Sequence, residues 1–343
     1  MTTLDRRFPD IILKDARRDL DADDYTVDGE RLDVARVTAL FGEGATITMA
    51  FLDEVVPALA DFCRGLEAAF NCPCQANIYL TPPDAQGAKP HYDTHDVFVL
   101  QIAGSKRWTI FGTPVESPLA GQEFDAEQHA LGDATLEFEL RAGDVAYLPR
   151  GVGHEARSTD EVSLHITAGV LRYTWADLLL EAVAAACLRD AALRKSLPPG
   201  FAEPTFDRAA AGAHMRELWK RAGSQLDIDA VWDVFASQYA ASRPPSWRGQ
   251  LAQLEAARHL IPANTVTKRP GLLVRLLEEA NLLRIETPWR TVVVPAHAAA
   301  AARSALSGDP HRVGALPGRL DEAGKLVLAR RLIREGLLIV IGA

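Results

Sequence analysis

The sequence of 343 residues contains little cysteine and no long apolar run. Its four cysteines are Cys63, Cys72, Cys74 and Cys187, and no second Cys/His pair stands at zinc-finger spacing from Cys72 and Cys74. No stretch approaches the roughly 18 consecutive apolar residues that a membrane-spanning helix needs. These absences argue against a disulfide scaffold and a zinc finger, and they predict a protein without a membrane segment.

Basic residues are in the minority as well. The 37 Lys and Arg residues stand against 46 Asp and Glu residues, which gives a formal net charge of -9. A protein whose whole surface follows nucleic-acid phosphates has the opposite sign, so we do not expect general nucleic-acid binding. The first residues lack the basic start and the apolar stretch of a signal peptide, and we therefore expect a cytoplasmic protein.

Three regions of the chain differ in their hydrophobic pattern. Up to about residue 175, short β-branched and aromatic runs are separated by Gly and Pro, which is typical of strands. Many short strands with a single long helix predict a β barrel or a β sandwich. The predicted strands are 76–81, 97–102, 108–111, 144–148 and 162–167, and the predicted helix is 49–70.

From Thr174 onward the pattern becomes helical. Thr174 is a candidate N-cap for a helix over 175–189, with Asp177 in its first turn. The apolar composition of this helix favours subunit contact in a homodimer, although packing on the preceding barrel would explain the pattern equally well. Further helices are predicted over 207–221, 228–241 and 247–259.

The last region, from about residue 262, has the pattern of a small α+β module. It combines a strand-like run over 291–295 with an amphipathic helix over 320–337. Its 12 Lys and Arg residues exceed its 7 Asp and Glu residues by +5. This excess suits a surface that contacts nucleic acid, but solvated arginines on the outer face of a helix explain it more simply.

The residues with the clearest chemistry are His91, Asp93 and His154. If His91 and Asp93 begin a strand, their side chains project to one face, about 6.6 Å apart along the backbone. Gly143 and Asp144 open a predicted strand, and the run 149–151 (Pro-Arg-Gly) turns the chain before His154. Two imidazoles and one carboxylate leave three coordination positions open, which suits non-haem Fe(II). A lone His-x-Asp is weak evidence, since most isolated strand histidines are hydrogen-bonded core residues, so the prediction depends on all three residues together.

The run from Asn77 to Trp108 resembles the central motif of the JmjC-type ribosomal oxygenases, which are cupin-fold, 2-oxoglutarate-dependent protein hydroxylases. The resemblance is strong over 75–110 and 141–175, and beyond 195 only the order of the domains matches. It implies a mainly β plus α fold, a double-stranded β-helix barrel followed by two smaller domains. The implied domains are a JmjC catalytic barrel over 1–175, a helical dimerisation domain over 176–260 and a winged-helix-like α+β domain over 261–343.

The same resemblance implies roles for individual residues. His91, Asp93 and His154 match the Fe(II) ligands of the family. Lys106 matches the basic residue that holds the far carboxylate of 2-oxoglutarate, and Thr167 is expected to line the same pocket. Without the family, Lys106 would be interpreted as a solvated lysine at the start of a strand.

Three further positions match family residues that contact the substrate. These are Asn77, Tyr79 and Gly169, of which Asn77 and Tyr79 would otherwise be ordinary barrel packing. The position of Gly169 is commonly Ser in the relatives, so a hydroxyl that contacts substrate is missing here. His95 has no ligand role in the family, and we expect it at the rim of the pocket.

The resemblance therefore implies a 2-oxoglutarate-dependent dioxygenase that uses Fe(II) and O2. Its expected substrate is a side chain of a protein or peptide, in the first place a ribosomal protein. The missing hydroxyl at Gly169 keeps open a hydroxylase of a peptide natural product or small metabolite. A catalytically silent dimeric binding scaffold and a cupin that uses another metal are the remaining alternatives.

Overall fold

The computed structural model describes residues 11–241 and 247–342. These residues form two compact units, of which the first ends at Arg172 and the second begins at Tyr173. The boundary lies close to the predicted end of the barrel at residue 175. Residues 1–10, 242–246 and 343, which belong to the three predicted domains, lie outside the described ranges.

The first unit is built mainly from antiparallel strands. Its helices and strands, in chain order, are β1 (Ile11–Lys14), β2 (Thr26–Val27), β3 (Arg31–Leu32), α1 (Val34–Gly42), β4 (Thr46–Met49), α2 (Pro57–Phe70), β5 (Cys74–Thr81), β6 (Asp96–Ala103), β7 (Ser105–Ile110), β8 (Leu136–Arg141), β9 (Val145–Leu148), β10 (His154–Ser158) and β11 (Ser163–Val170). All five predicted strands are confirmed, with shifted ends.

Two sheets form the body of this unit. The larger has six strands in the order β1-β4-β5-β11-β6-β9, and the smaller has three in the order β10-β7-β8. Val97 and Val99 of the larger sheet pack with Trp108 and Leu140 of the smaller sheet in one buried cluster. Val97, Val99 and Trp108 of this cluster also line a cavity.

The predicted helix over 49–70 is wrong in its first part. Met49 ends strand β4, where it pairs with Ile11 and Ile78, and helix α2 begins only at Pro57. Proline is favoured at the first helical position, because its missing N–H would have no partner there and its φ is already helical. Phe51 has a left-handed backbone with φ 56°, which also separates the strand from the helix.

The second unit combines helices with two small antiparallel sheets. Its helices and strands are α3 (Trp175–Arg189), α4 (Arg208–Ser224), α5 (Ile228–Ala241), α6 (Gln250–Arg258), β12 (Thr265–Lys268), β13 (Arg275–Glu279), β14 (Leu282–Glu286), β15 (Thr291–Pro295), α7 (Ala296–Ala305), β16 (His311–Arg312), α8 (Glu322–Arg334) and β17 (Leu338–Val340). The sheets have the orders β13-β14-β15 and β16-β12-β17.

The predicted cap of α3 is confirmed. The Thr174 hydroxyl accepts a hydrogen bond from the Asp177 backbone N–H at 3.2 Å, and the Asp177 carboxylate accepts one from the Thr174 backbone N–H at 2.8 Å. This reciprocal pair satisfies two N–H groups at the helix start. Among the described residues, no helix combines the length and the apolar character needed to cross a membrane.

Candidate active site

His91, Asp93 and His154 converge in the first unit. One ligand atom from each side chain can be chosen so that all of them lie within 4.8 Å of one another. The Nε2 atom of His91 lies 3.8 Å from one oxygen of Asp93, and the Nε2 atom of His154 lies 3.7 Å from the other. The structure therefore brings the three predicted ligands together in an arrangement that can hold one cation.

The backbone of His91 and Asp93 does not have the predicted strand conformation. His91 and Asp93 do not begin a strand, since β6 starts at Asp96. His91 instead forms an isolated β-bridge with His154. The His91 N–H donates to the His154 carbonyl at 3.1 Å, and the His154 N–H donates to the His91 carbonyl at 2.8 Å. The side chains of His91 and Asp93 therefore do not share a face through strand alternation. The bridge to His154 and the loop that follows His91 bring the three side chains together.

Backbone carbonyls orient both imidazoles. The Nδ1 atom of His91 lies 2.7 Å from the Lys89 carbonyl, and the Nδ1 atom of His154 lies 3.0 Å from the Val152 carbonyl. A proton held on each Nδ1 leaves the Nε2 lone pair for a metal. Burial, with a smaller effect from His91, lowers the pKa of His154, so its neutral, metal-binding form is favoured.

Beside the triad lies a cavity of about 90 Å³. The two sheets both contribute to its wall, and the predicted residues Lys106, Thr167 and Tyr79 line it together with His154. Asn77 does not line it. The Asn77 amide oxygen accepts a hydrogen bond from the Phe51 N–H at 3.1 Å, which holds the chain before α2.

Lys106 is a buried basic residue in the wall of this cavity, with 3% of its surface exposed. Its Nζ donates a hydrogen bond of 3.0 Å to the Thr81 hydroxyl, which also accepts one from Thr46 at 3.0 Å. No carboxylate of the described residues pairs with it, and burial lowers the pKa of Lys106 to about 7. A buried ammonium with only a hydroxyl partner favours an anionic ligand.

The aromatic wall contains polar atoms without partners. The rings of Tyr79 and His165 stack with centroids 4.8 Å apart, and the Tyr79 hydroxyl is hydrogen-bonded to Thr167. Within the described residues, the His165 Nδ1 and Trp108 Nε1 atoms are buried and have no hydrogen-bond partner. Buried polar groups are normally satisfied, so a polar ligand is expected here.

The sequence alone predicted no ligand role for Thr81, His165 or Trp108. Strand alternation offered a signal for Thr81, because it follows Asn77 and Tyr79 at two-residue spacing along β5. For His165, the signal was its two-residue spacing from Thr167 along β11. His165 and Trp108 each line the cavity.

Gly169 and His95 are placed together rather than in the cavity wall. A Cβ atom at position 169 would lie 2.8 Å from Cδ2 and 2.9 Å from Nε2 of His95. The ring of His95 therefore covers the backbone of Gly169. Of the three predicted substrate residues, only Tyr79 lines the cavity.

The amino-acid sequence is similar to proteins of one domain family. Residues 54–178 match the JmjC domain. The bifunctional lysine-specific demethylase and histidyl-hydroxylase NO66 of Drosophila simulans is 37% identical over 172 residues, 47% of this chain and 20% of that protein. The protein of the same name from Dictyostelium discoideum is 35% identical over 240 residues, 63% of this chain and 45% of its own. The chain thus spans less than half the length of these curated relatives.

The fold is shared with a solved structure. Escherichia coli YcfD aligns with a TM-score of 0.52 and 16% identity over 86% of this chain and 79% of that one. The complex of this ribosomal oxygenase with cobalt and 2-oxoglutarate aligns with a TM-score of 0.50 and 17% identity, covering 87% and 79% of the two chains. Together with the domain match, the shared fold confirms the coarse part of the prediction, a fold that combines β and α elements and contains a JmjC domain. Residues 54–178 of this chain are therefore similar to a JmjC domain.

Proposed function

We propose that this chain is an Fe(II)- and 2-oxoglutarate-dependent oxygenase that hydroxylates a side chain of a protein or peptide. The observation that carries the proposal is the His91, Asp93 and His154 triad next to the buried Lys106, which has no carboxylate partner among the described residues. One group of residues can hold a cation, and the other can hold an anion. A metal with a bound keto acid needs both.

The triad fits ferrous iron. Two neutral imidazoles and one carboxylate leave three coordination positions for a co-substrate and dioxygen. When bound, iron with 2-oxoglutarate and O2 supplies the oxidant that converts R–H to R–OH, while 2-oxoglutarate becomes succinate and CO2. The Nδ1 atoms of His91 and His154 are hydrogen-bonded to backbone carbonyls, and burial favours the neutral form of His154. Both Nε2 atoms can therefore bind a metal without rotation of the rings.

Lys106 and Thr81 are proposed to hold the far carboxylate of 2-oxoglutarate. A carboxylate at this point restores the charged form of Lys106 and gives the ammonium the partner that it lacks. Thr81 orients the ammonium with its 3.0 Å hydrogen bond. Trp108 and His165 enclose the site with aromatic surface, which excludes water from the reacting centre.

The names of the similar proteins support a protein substrate. YcfD is a ribosomal oxygenase and binds 2-oxoglutarate with cobalt, and the NO66 proteins are named as histidyl-hydroxylases and lysine demethylases. For this chain we propose a ribosomal protein as the first candidate substrate, with cytoplasmic action. Because Gly169 carries no hydroxyl, the target residue need not be histidine, and a peptide natural product or small metabolite is the alternative substrate.

The second unit is proposed to form a homodimer interface and to end in a winged-helix-like domain. Its helices expose large apolar side chains, among them Leu180 at 71% and Leu251 at 83% exposure. Oligomers commonly bury such faces by two-fold symmetry. Light scattering across a dilution series should give about twice 37.3 kDa, and a monomer at micromolar concentration would contradict the dimer.

The activity can be tested before the substrate is identified. Ribosomal proteins extracted from the source organism lacking this gene are incubated with enzyme, Fe(II), 2-oxoglutarate and O2. We expect one protein to gain a single oxygen atom, with one succinate formed per oxygen incorporated. His91→Ala serves as the inactive control, and an equal gain of oxygen with this variant would overturn the proposal.

A further inference from the structure

Gly169 lies at a position where the backbone conformation does not require a glycine. It is buried in strand β11, paired with Gln75 of β5 on one side and with Val97 of β6 on the other. Its φ is not in the left-handed region, so the backbone itself does not require glycine. Glycine in a doubly paired strand weakens the strand and commonly marks the close approach of another group.

The approaching group is the imidazole of His95. A Cβ atom at position 169 would lie 2.8 Å and 2.9 Å from two atoms of this ring, and 3.5 Å from the Gln75 side chain. The first two distances are shorter than real Cβ contacts, so any side chain at 169 would displace the ring. His95 therefore fills the space into which a side chain on β11 would project.

Hydrogen bonds on both sides of His95 connect its loop to the segment that leads to His154. The Gly151 N–H donates to the Asp93 carbonyl at 2.9 Å, and the Arg150 N–H donates to the Asp96 carboxylate at 3.1 Å. These bonds flank His95, which follows the proposed metal ligand Asp93 by two residues. The loop that carries His95 is thus anchored on both sides of this residue, and the ring packs against the backbone of Gly169.

The ring nitrogens of His95 have no hydrogen-bond partner in residues 11–241 and 247–342, and the side chain is half-buried. It is absent from the group of side chains that can hold a cation. This imidazole packs on Gly169, is partly open to solvent and follows Asp93 of the triad by two residues. Because its nitrogens are uncommitted, it is available to contact a bound molecule.

We propose that His95 is the specificity-determining residue that hydrogen-bonds the target side chain of the substrate, and that Gly169 exists to admit its ring. This inference rests on the proposed oxygenase function. It assigns polar recognition of the target to the loop between His91 and β6 rather than to β11. The expected substrate side chain therefore carries a polar group that can donate to, or accept from, an imidazole nitrogen.

The test compares His95→Ala, Gly169→Ala and the double variant on the extract of ribosomal proteins. Gly121→Ala is the matched control, because Gly121 has an ordinary φ and nothing lies within 4 Å of its Cβ position. Each single variant should lower kcat/KM for oxygen incorporation by about tenfold to a hundredfold, mainly through KM. The double variant should lose no more than His95→Ala alone, because the alanine at 169 acts only by moving the ring.

Iron and 2-oxoglutarate binding separates this inference from the proposed function. Each variant should keep the visible absorption band of its Fe(II) and 2-oxoglutarate complex, which also shows that it is folded. Unchanged kcat/KM in His95→Ala, or additive losses in the double variant, would overturn the role of His95 and leave the oxygenase intact. If wild type shows the band but oxidises no protein in the extract, recognition of a protein side chain by His95 is refuted. Absence of the band in wild type would instead refute the proposed function.

Discussion

The Nζ atom of Lys106 lies 3.0 Å from the hydroxyl oxygen of Thr81, where both residues are buried and no carboxylate of the described residues pairs with the lysine. A hydroxyl does not balance a buried positive charge, and burial accordingly lowers the pKa of this lysine to about 7. Lys106 and Thr81 thus offer an anion-binding site, which a carboxylate of the co-substrate would occupy. This pairing makes both the affinity for 2-oxoglutarate and its pH dependence testable.

Replacing Lys106 by alanine should weaken 2-oxoglutarate binding and spare the metal. A hydrogen bond to a charged partner contributes about 1.5–3 kcal/mol, so the Kd for 2-oxoglutarate should rise by about tenfold to a hundredfold. Calorimetric titration of each ligand measures both affinities. Arg107→Ala, which removes the exposed neighbour on β7, is the control. Equal loss of metal and 2-oxoglutarate binding in Lys106→Ala would contradict the assigned role.

The low pKa of Lys106 predicts that 2-oxoglutarate binds together with a proton. Without ligand, Lys106 loses its proton above about pH 7, while a bound carboxylate raises its pKa again. Between about pH 7 and the higher pKa of the complex, binding should take up close to one proton, and affinity should fall as pH rises.

Proton uptake can be measured by calorimetry at pH 8 in buffers of different ionisation enthalpy. Lys106→Met removes the titrating group, so its residual binding should lack this uptake. An affinity that stays flat from pH 7 to pH 9 in wild type would show that Lys106 is not the anion partner.

Loss of the Asp93 carboxylate should abolish metal binding. A metal that binds the folded state raises the unfolding temperature by mass action, so Co(II) should stabilise wild type by several degrees. Asp93→Ala should lower Co(II) affinity at least about a hundredfold and lose this stabilisation. Asp160→Ala, in an exposed loop of the same unit, should respond to Co(II) as wild type does. Equal stabilisation of Asp93→Ala and wild type would show that the metal binds elsewhere.

The capping pair at the start of α3 predicts a defined loss of stability. Thr174→Ala removes the hydroxyl that accepts from the Asp177 N–H at 3.2 Å, and such substitutions cost about 1 kcal/mol. Urea unfolding should show this loss in the free energy of unfolding, whereas Thr205→Ala, in an exposed turn, should change it little. Identical unfolding free energies for Thr174→Ala and wild type would refute the contribution of the cap.

The strands and the helix cap were predictable because their signals are local. The β-branched runs indicated β5, β6 and β11, and Thr174 with Asp177 indicated the start of α3. Met49 was misassigned because apolar residues on either side of a turn can match helical spacing by accident. Only pairing with Ile11 and Ile78, which is not local, placed Met49 in a sheet.

The site was predictable in its residues and less so in its geometry. His91, Asp93 and His154 stood out by type and spacing, and Lys106 was identified only through the family resemblance. The bridge between His91 and His154 joins residues 63 positions apart in the sequence. The contact between His95 and Gly169 likewise depends on how the loop before β6 packs against β11. Such contacts arise from tertiary packing, which periodicity does not encode.

The most direct test of the account is an anaerobic titration of the purified protein with Fe(II) and 2-oxoglutarate, followed by visible absorption. A keto acid bound through two atoms to ferrous iron in the triad should produce a weak charge-transfer band, and the band should disappear in His91→Ala. If iron-loaded wild-type protein gives no band at saturating 2-oxoglutarate, the three side chains do not hold the iron and co-substrate together, and the oxygenase account is wrong.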